Sequence, residues 1–198
     1  MGTEEGVERF LKDLREQCSS HNIKIKFARA KTVDVGGGIR TCGYYDADGR
    51  AIAVGKKNRH WLSVLVHESC HMDQHLEGSE LWDRESVFGN NILDAWLLGK
   101  GVSHLRKAIN RIQALELDCE KRAVKKIAFY DLPINTITYI QKANAYILYY
   151  NYVYETGVWR PATYDDPEVY LKFPSRFMSE RYYRQKLSEK IRSIYINQ

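Results

Sequence analysis

The sequence predicts an α+β fold, in which a small antiparallel N-terminal sheet packs on a mostly helical body. Short stretches before residue 60 alternate apolar and polar residues, and an Asp-Gly pair marks a turn between two of them. After residue 60, long stretches repeat apolar residues at helical spacing. The 198 residues are 44% hydrophobic and 28% charged, which is typical of one globular domain.

The N-terminal third contains the predicted sheet. Residues 4–18 carry apolar side chains at helical spacing and predict an amphipathic helix, while IKIKFA at 23–28 alternates with period two and predicts a strand. The run DVGGGIRT has three consecutive glycines, so we expect a flexible loop there. Beyond it, TCGYY and RAIAVG flank the turn DADG and predict a β-hairpin.

The remainder of the chain is predicted to be helical. A loop containing three prolines is expected before the last helix. The predicted helices cover 60–76, 85–98, 102–128, 134–155 and 175–193.

Composition restricts the classes of protein to which this chain can belong. No apolar run approaches the roughly 20 residues needed to cross a membrane, so we expect a cytoplasmic protein. Four scattered cysteines predict reduced thiols. The net charge of +5 is modest, and most basic residues fall on stretches that look helical. A solvated helix face and a surface for nucleic acid or an acidic partner both remain open.

The stretch SVLVHESCHMDQH contains the motif His-Glu-x-x-His. On a helix, His67 and His71 lie about 40° apart, and Glu68 lies on the same side, opposite an apolar face. Two histidines one turn apart can bind one metal ion, and the glutamate after the first can contact a metal-bound water. The alternative is a surface helix with incidental histidines. His75 lies about 12 Å along the helix from His67 and is not expected to bind the same ion, and Cys70 is expected to be a buried thiol.

A third ligand is sought on a second helix. Glu116 and Glu120 fall within about 40° of each other in an otherwise apolar stripe, whereas Asp118 falls among basic residues. A buried carboxylate must be paired or bind a metal. We therefore assign Glu116 as the third ligand, and Glu120 as the acceptor of a hydrogen bond from a ligating histidine. A buried ion pair with Lys or Arg is the alternative.

His67-Glu68-x-x-His71 followed by Glu116-x-x-x-Glu120 resembles the gluzincin pattern of zinc peptidases, which usually has Asp at the last position. The order of elements is similar to that of ImmA/IrrE-type and SprT-like minimal zincins, and VHESCHMDQ with Trp82 resembles uncharacterised zincin-like proteins of bacteriophages. The resemblance covers about residues 40–128. It implies a single zincin-like domain over 1–198, with residues 129–198 as a helical extension.

The resemblance implies a zinc-dependent metallopeptidase with a protein or peptide substrate. Zinc would be held by His67, His71 and Glu116, and Glu68 would be the general base. In such peptidases a strand placed like RAIAVG commonly borders the substrate cleft. Tyr146 is a candidate donor to the oxyanion, although its tyrosine-rich stripe is also typical of core packing. A non-catalytic zincin-fold module that binds protein or DNA, and a DNA-associated protease, are the alternative functions.

Overall fold

The computed structural model describes residues 3–36, 39–160 and 162–196. They form two compact units. Unit 1 contains Met1–Gly78 and Lys121–Ile134, and unit 2 contains Ser79–Glu120 and Asn135–Gln198. The predicted α+β class is confirmed, since helices and a small sheet are both present.

The helices and strands follow in the order of the chain. Unit 1 contains α1 (Glu4–Ser20), β1 (Lys24–Ala28), β2 (Val33–Gly36), β3 (Ile39–Thr41), β4 (Gly43–Asp46), β5 (Ala51–Gly55) and α2 (Trp61–Leu76). Helix α4 (Leu105–Phe129) contributes residues to both units. Unit 2 also contains α3 (Glu80–Leu97), α5 (Thr136–Thr156), α6 (Ala162–Asp165), α7 (Pro167–Tyr170), α8 (Glu180–Tyr183) and α9 (Glu189–Ile196).

The main sheet is mixed, so the prediction of an antiparallel sheet is wrong. Its strand order is β1-β5-β4; β4 and β5 form the predicted antiparallel hairpin, but β1 runs parallel to β5. Every residue of β5 is buried, which suits the central position. Strand β1 alternates exposed lysines with less exposed apolar residues, which suits an edge.

A second hairpin occupies most of the stretch predicted to be a flexible loop. Strands β2 and β3 pair antiparallel, and Gly37 and Gly38 between them lie outside the described residues. Val33 is buried and anchors the first strand. The guanidinium of Arg40 donates to the Thr32 hydroxyl over 2.9 Å, which ties the end of the hairpin to its beginning.

Unit 1 has its own hydrophobic core. Helix α1 begins at a Thr3 cap, whose hydroxyl accepts a hydrogen bond from the Gly6 amide, and the helix buries Phe10 and Leu14. Helix α2 buries Leu65 and other apolar residues on its back, as its periodicity predicts. The Lys126 ammonium lies 2.7 Å from the Asp73 carboxylate and also donates to Ser69, so α2 is held at its polar side as well.

Helix α5 is the centre of unit 2. It begins at Asn135, whose side chain accepts from the Thr138 amide, and ends at Gly157, which adopts φ 70°. Its middle is buried, polar residues included: Asn151 donates to the Tyr183 carbonyl and accepts from the Arg106 guanidinium. The core of unit 2 is therefore partly fixed by hydrogen bonds.

The predicted helix over 175–193 is wrong, because the structure divides this stretch into α8 and α9. The carbonyls of Tyr183 and Arg184 accept hydrogen bonds from Asn151 and Arg106. In a continuous helix these carbonyls would accept from amides four residues later. Within the residues that the structure describes, no helix is both long and apolar enough to span a membrane.

Candidate metal centre

Unit 1 places His67 and His71 side by side on α2. Their ring centroids are 4.7 Å apart with the planes nearly perpendicular, and one nitrogen of each ring lies within 4.8 Å of the other. His67 is half-buried, whereas His71 is 8% exposed. The apolar back of α2 fixes the helix in the core, so both imidazoles are presented from the opposite face.

Gln74 fixes the orientation of the second imidazole. Its side-chain oxygen lies 2.9 Å from Nδ1 of His71, and the glutamine is completely buried. An amide oxygen can only accept a hydrogen bond, so in this arrangement Nδ1 carries the proton. Nε2 then presents a lone pair, which is the form of histidine that binds a metal.

Glu68 lies beside strand β4. A Cβ added to Gly43 would lie 2.5 Å from Cγ1 of Val64, 2.9 Å from the Ala53 carbonyl oxygen and 3.5 Å from Cγ of Glu68. Glycine is therefore required for β4 to approach α2 this closely. The consequence is that the half-buried Glu68 lies next to the first residue of an edge strand.

The edge strand is not the one expected to border a cleft. RAIAVG contains β5, which is paired on both sides and cannot accept another strand. Strand β4 pairs with β5 alone among the described strands, so the expectation for RAIAVG is wrong and β4 is the strand available for pairing.

The remaining polar residues of α2 have other contacts. Nδ1 of His75 lies 2.7 Å from the Tyr45 hydroxyl, and the two rings are 5.8 Å apart. His75 is thus linked to the sheet one turn beyond His71. Cys70 is completely buried, as predicted.

Unit 2 contains the two carboxylates predicted from the apolar stripe. Glu116 and Glu120 are 8% and 6% exposed, and one oxygen of each lies within 4.8 Å of the other. Asp118 is more exposed than either, as its position among basic residues predicts. Two buried carboxylates at this separation favour a nearby cation.

The hydroxyl of Tyr146 donates to Oε1 of Glu116 over 3.2 Å and lies 2.7 Å from the Tyr150 hydroxyl. Burial, followed by the charge of Glu116, raises the pKa of Tyr146 well above 10. The same two causes raise the pKa of Tyr150. Both hydroxyls therefore stay protonated at neutral pH and remain donors.

Two residues of these groups were not predicted from the sequence. Gln74 follows His71 by three positions and so lies on a neighbouring helical turn, a spacing that is a usable signal. Tyr150 follows Tyr146 by four positions, but nothing in the sequence indicates that the pair reaches Glu116, 30 positions earlier. The bond from Glu120 to a ligating histidine stays a prediction.

The side chains present fit zinc in their chemistry. Imidazole nitrogen and carboxylate oxygen are zinc ligands, and Gln74 holds His71 in the tautomer that such a site needs. No protein-family model matches the chain, and no curated protein or solved structure matches it either.

Proposed function

We propose that the protein is a zinc-dependent metallopeptidase in which His67, His71 and Glu116 hold the ion. The observation that carries this proposal is the contact between Gln74 and His71, which orients the second histidine of a His-Glu-x-x-His helix as a ligand. When bound, zinc would activate a water molecule and polarise a peptide carbonyl.

Glu68 is the proposed general base. It takes the proton of the attacking water on its carboxylate and passes it to the leaving amine. Its position beside Gly43, at the start of β4, supports this role, because an extended peptide paired with that edge strand would pass Glu68.

Tyr146 is proposed to act through Glu116. Its hydroxyl donates to the carboxylate, which fixes the direction of the oxygen lone pairs. The role expected from the sequence, donation to an oxyanion, requires the hydroxyl to turn away from Glu116. Both roles need a protonated phenol, which the raised pKa of Tyr146 maintains.

The first experiment is to measure the zinc content of the purified protein by elemental mass spectrometry. We expect about one zinc ion per chain. Glu116→Ala and His71→Ala should lose it, whereas Asp118→Ala and His75→Ala, changes of the same type on the same two helices, should keep it. No zinc in the wild type after reconstitution, or equal loss in all four variants, would reject the assignment.

Peptide cleavage separates the enzyme from a non-catalytic metal protein. The wild type loaded with zinc is expected to cleave members of a random peptide library, and Glu68→Gln to bind zinc without cleaving. If both proteins bind zinc and neither cleaves, the ion is structural and the fold serves as a binding module. Cleavage by Glu68→Gln at the wild-type rate would remove Glu68 as the general base.

A further inference from the structure

Positive charge is concentrated in one part of the sequence. Residues 23–60 contain nine Lys and Arg but only three acidic residues, a net charge of +6, whereas the whole chain carries +5. All nine basic side chains are exposed. Within residues 3–36, 39–160 and 162–196, none of the nine forms a salt bridge. This stretch therefore presents positive charge that the described acidic side chains do not neutralise through ion pairs.

The main sheet turns part of this charge to the face opposite α2, here called the far face. Gly43 and Tyr45 point towards α2, so Tyr44 points to the far face. In the register of the sheet, Ala53 lies between Lys26 on β1 and Tyr44 on β4. A small residue between a cation and an aromatic ring leaves a depression over the central strand.

The far face carries a cleft of about 400 Å³. Lys26, Ala53 and Tyr44 line it from the sheet, and Asp34 and Arg40 line it from the β2–β3 hairpin. Arg40 is held by its bond to Thr32, and the Asp34 carboxylate accepts from the Gly36 amide. The cleft thus combines two cations, an aromatic ring and one acid that is bonded to the hairpin backbone.

We propose that the far face binds single-stranded nucleic acid. Exposed lysine and arginine attract phosphates, and a ring within a basic groove provides a surface on which a base can stack. A duplex is too wide to enter the cleft between sheet and hairpin, whereas a single strand is flexible enough to follow it. An acidic peptide would satisfy the charges but would leave Tyr44 without a stacking partner.

The test is fluorescence anisotropy with a labelled 20-nucleotide oligothymidylate and the full chain, in buffer containing EDTA. Chelation makes the result independent of zinc, so failure here leaves the proposed peptidase untouched, and the reverse also holds. Lys24→Glu combined with Lys26→Glu should weaken binding by at least about tenfold and lower the salt dependence by about two units of slope. The control, Lys186→Glu with Lys190→Glu, makes the same charge change at exposed positions of unit 2 and should weaken binding by about twofold or less.

Several results would overturn the proposal. One is no binding by the wild type at about 10⁻⁴ M protein in low salt. A second is equal weakening by the two double variants, which would indicate attraction by net charge alone. A third is displacement of the strand by polyglutamate at equal charge concentration, which would indicate an acidic protein partner. Tighter binding of a duplex of the same length would contradict single-strand recognition. Circular dichroism of each variant verifies that it is folded.

Discussion

The side-chain oxygen of Gln74 lies 2.9 Å from Nδ1 of His71, one turn along the same helix. A hydrogen bond of this kind determines which ring nitrogen carries the proton, and therefore which one can bind a metal. Both residues are buried, so water competes weakly for the bond. The first prediction concerns this contact.

Replacing Gln74 by leucine should weaken zinc binding by about 10- to 100-fold, because His71 loses the acceptor that fixes its tautomer. Competition with a chelator of known affinity measures the change. The matched control is Gln17→Leu, since Gln17 also lies in unit 1 but donates to Asp73. A folded Gln74→Leu protein with wild-type zinc affinity would contradict the proposed role.

Tyr146→Phe separates two roles of this hydroxyl. If Tyr146 orients Glu116, as its 3.2 Å contact indicates, zinc affinity should fall in the variant. If it instead donates to an oxyanion, zinc affinity should stay constant and kcat should fall by about 10²- to 10³-fold. We predict the first result. Tyr152→Phe, on the same helix but outside this hydrogen-bonded group, is the control for loss of a tyrosine hydroxyl.

Gly43→Ala should lower the free energy of unfolding by about 1–3 kcal/mol, because the new Cβ would collide with Val64 and the Ala53 carbonyl. Urea denaturation measures the difference. Gly101→Ala is the control: no described atom outside its immediate neighbours lies within 4 Å of the added Cβ, so the change should stay within about 0.5 kcal/mol. Equal stability of the two variants would mean that β4 and α2 separate easily.

The four thiols should differ in reactivity. Cys42 is exposed, whereas Cys18, Cys70 and Cys119 are buried. Burial also raises the pKa of Cys18 to about 11, so its thiolate is scarce at pH 8. A chromogenic disulfide reagent should therefore titrate one thiol quickly in the folded protein and all four after unfolding. Cys42→Ser should remove the fast phase, and a fast phase that survives would contradict this assignment.

Local periodicity predicted the elements whose side chains act locally. Helices α1, α2, α4 and α5 and the β4–β5 hairpin follow from apolar spacing and turn residues within a short window. The parallel pairing of β1 did not follow, because strand order depends on contacts between distant residues. The second hairpin was missed because a glycine run hides two short strands.

The candidate site shows the same division. His67, Glu68 and His71 follow from one spacing, and burial of Glu116 and Glu120 follows from their apolar stripe. The orientation of a side chain has no such signal, so the contacts made by Gln74 and Tyr146 required the structure. The concentration of charge on the far face was also missed, because alternation in β1 indicates a strand without saying which face is open.

The parallel pairing of β1 with β5 has a consequence for the order of folding. Asp46 and Ala51 pair across a short turn, so the β4–β5 hairpin closes a small loop and can form early. Lys24 pairs with Ala51, 27 positions later, and closing that longer loop costs more entropy. During synthesis β1 therefore emerges first but must wait for β5 before it can join the sheet, so its lysines remain solvated until the last strand has left the ribosome.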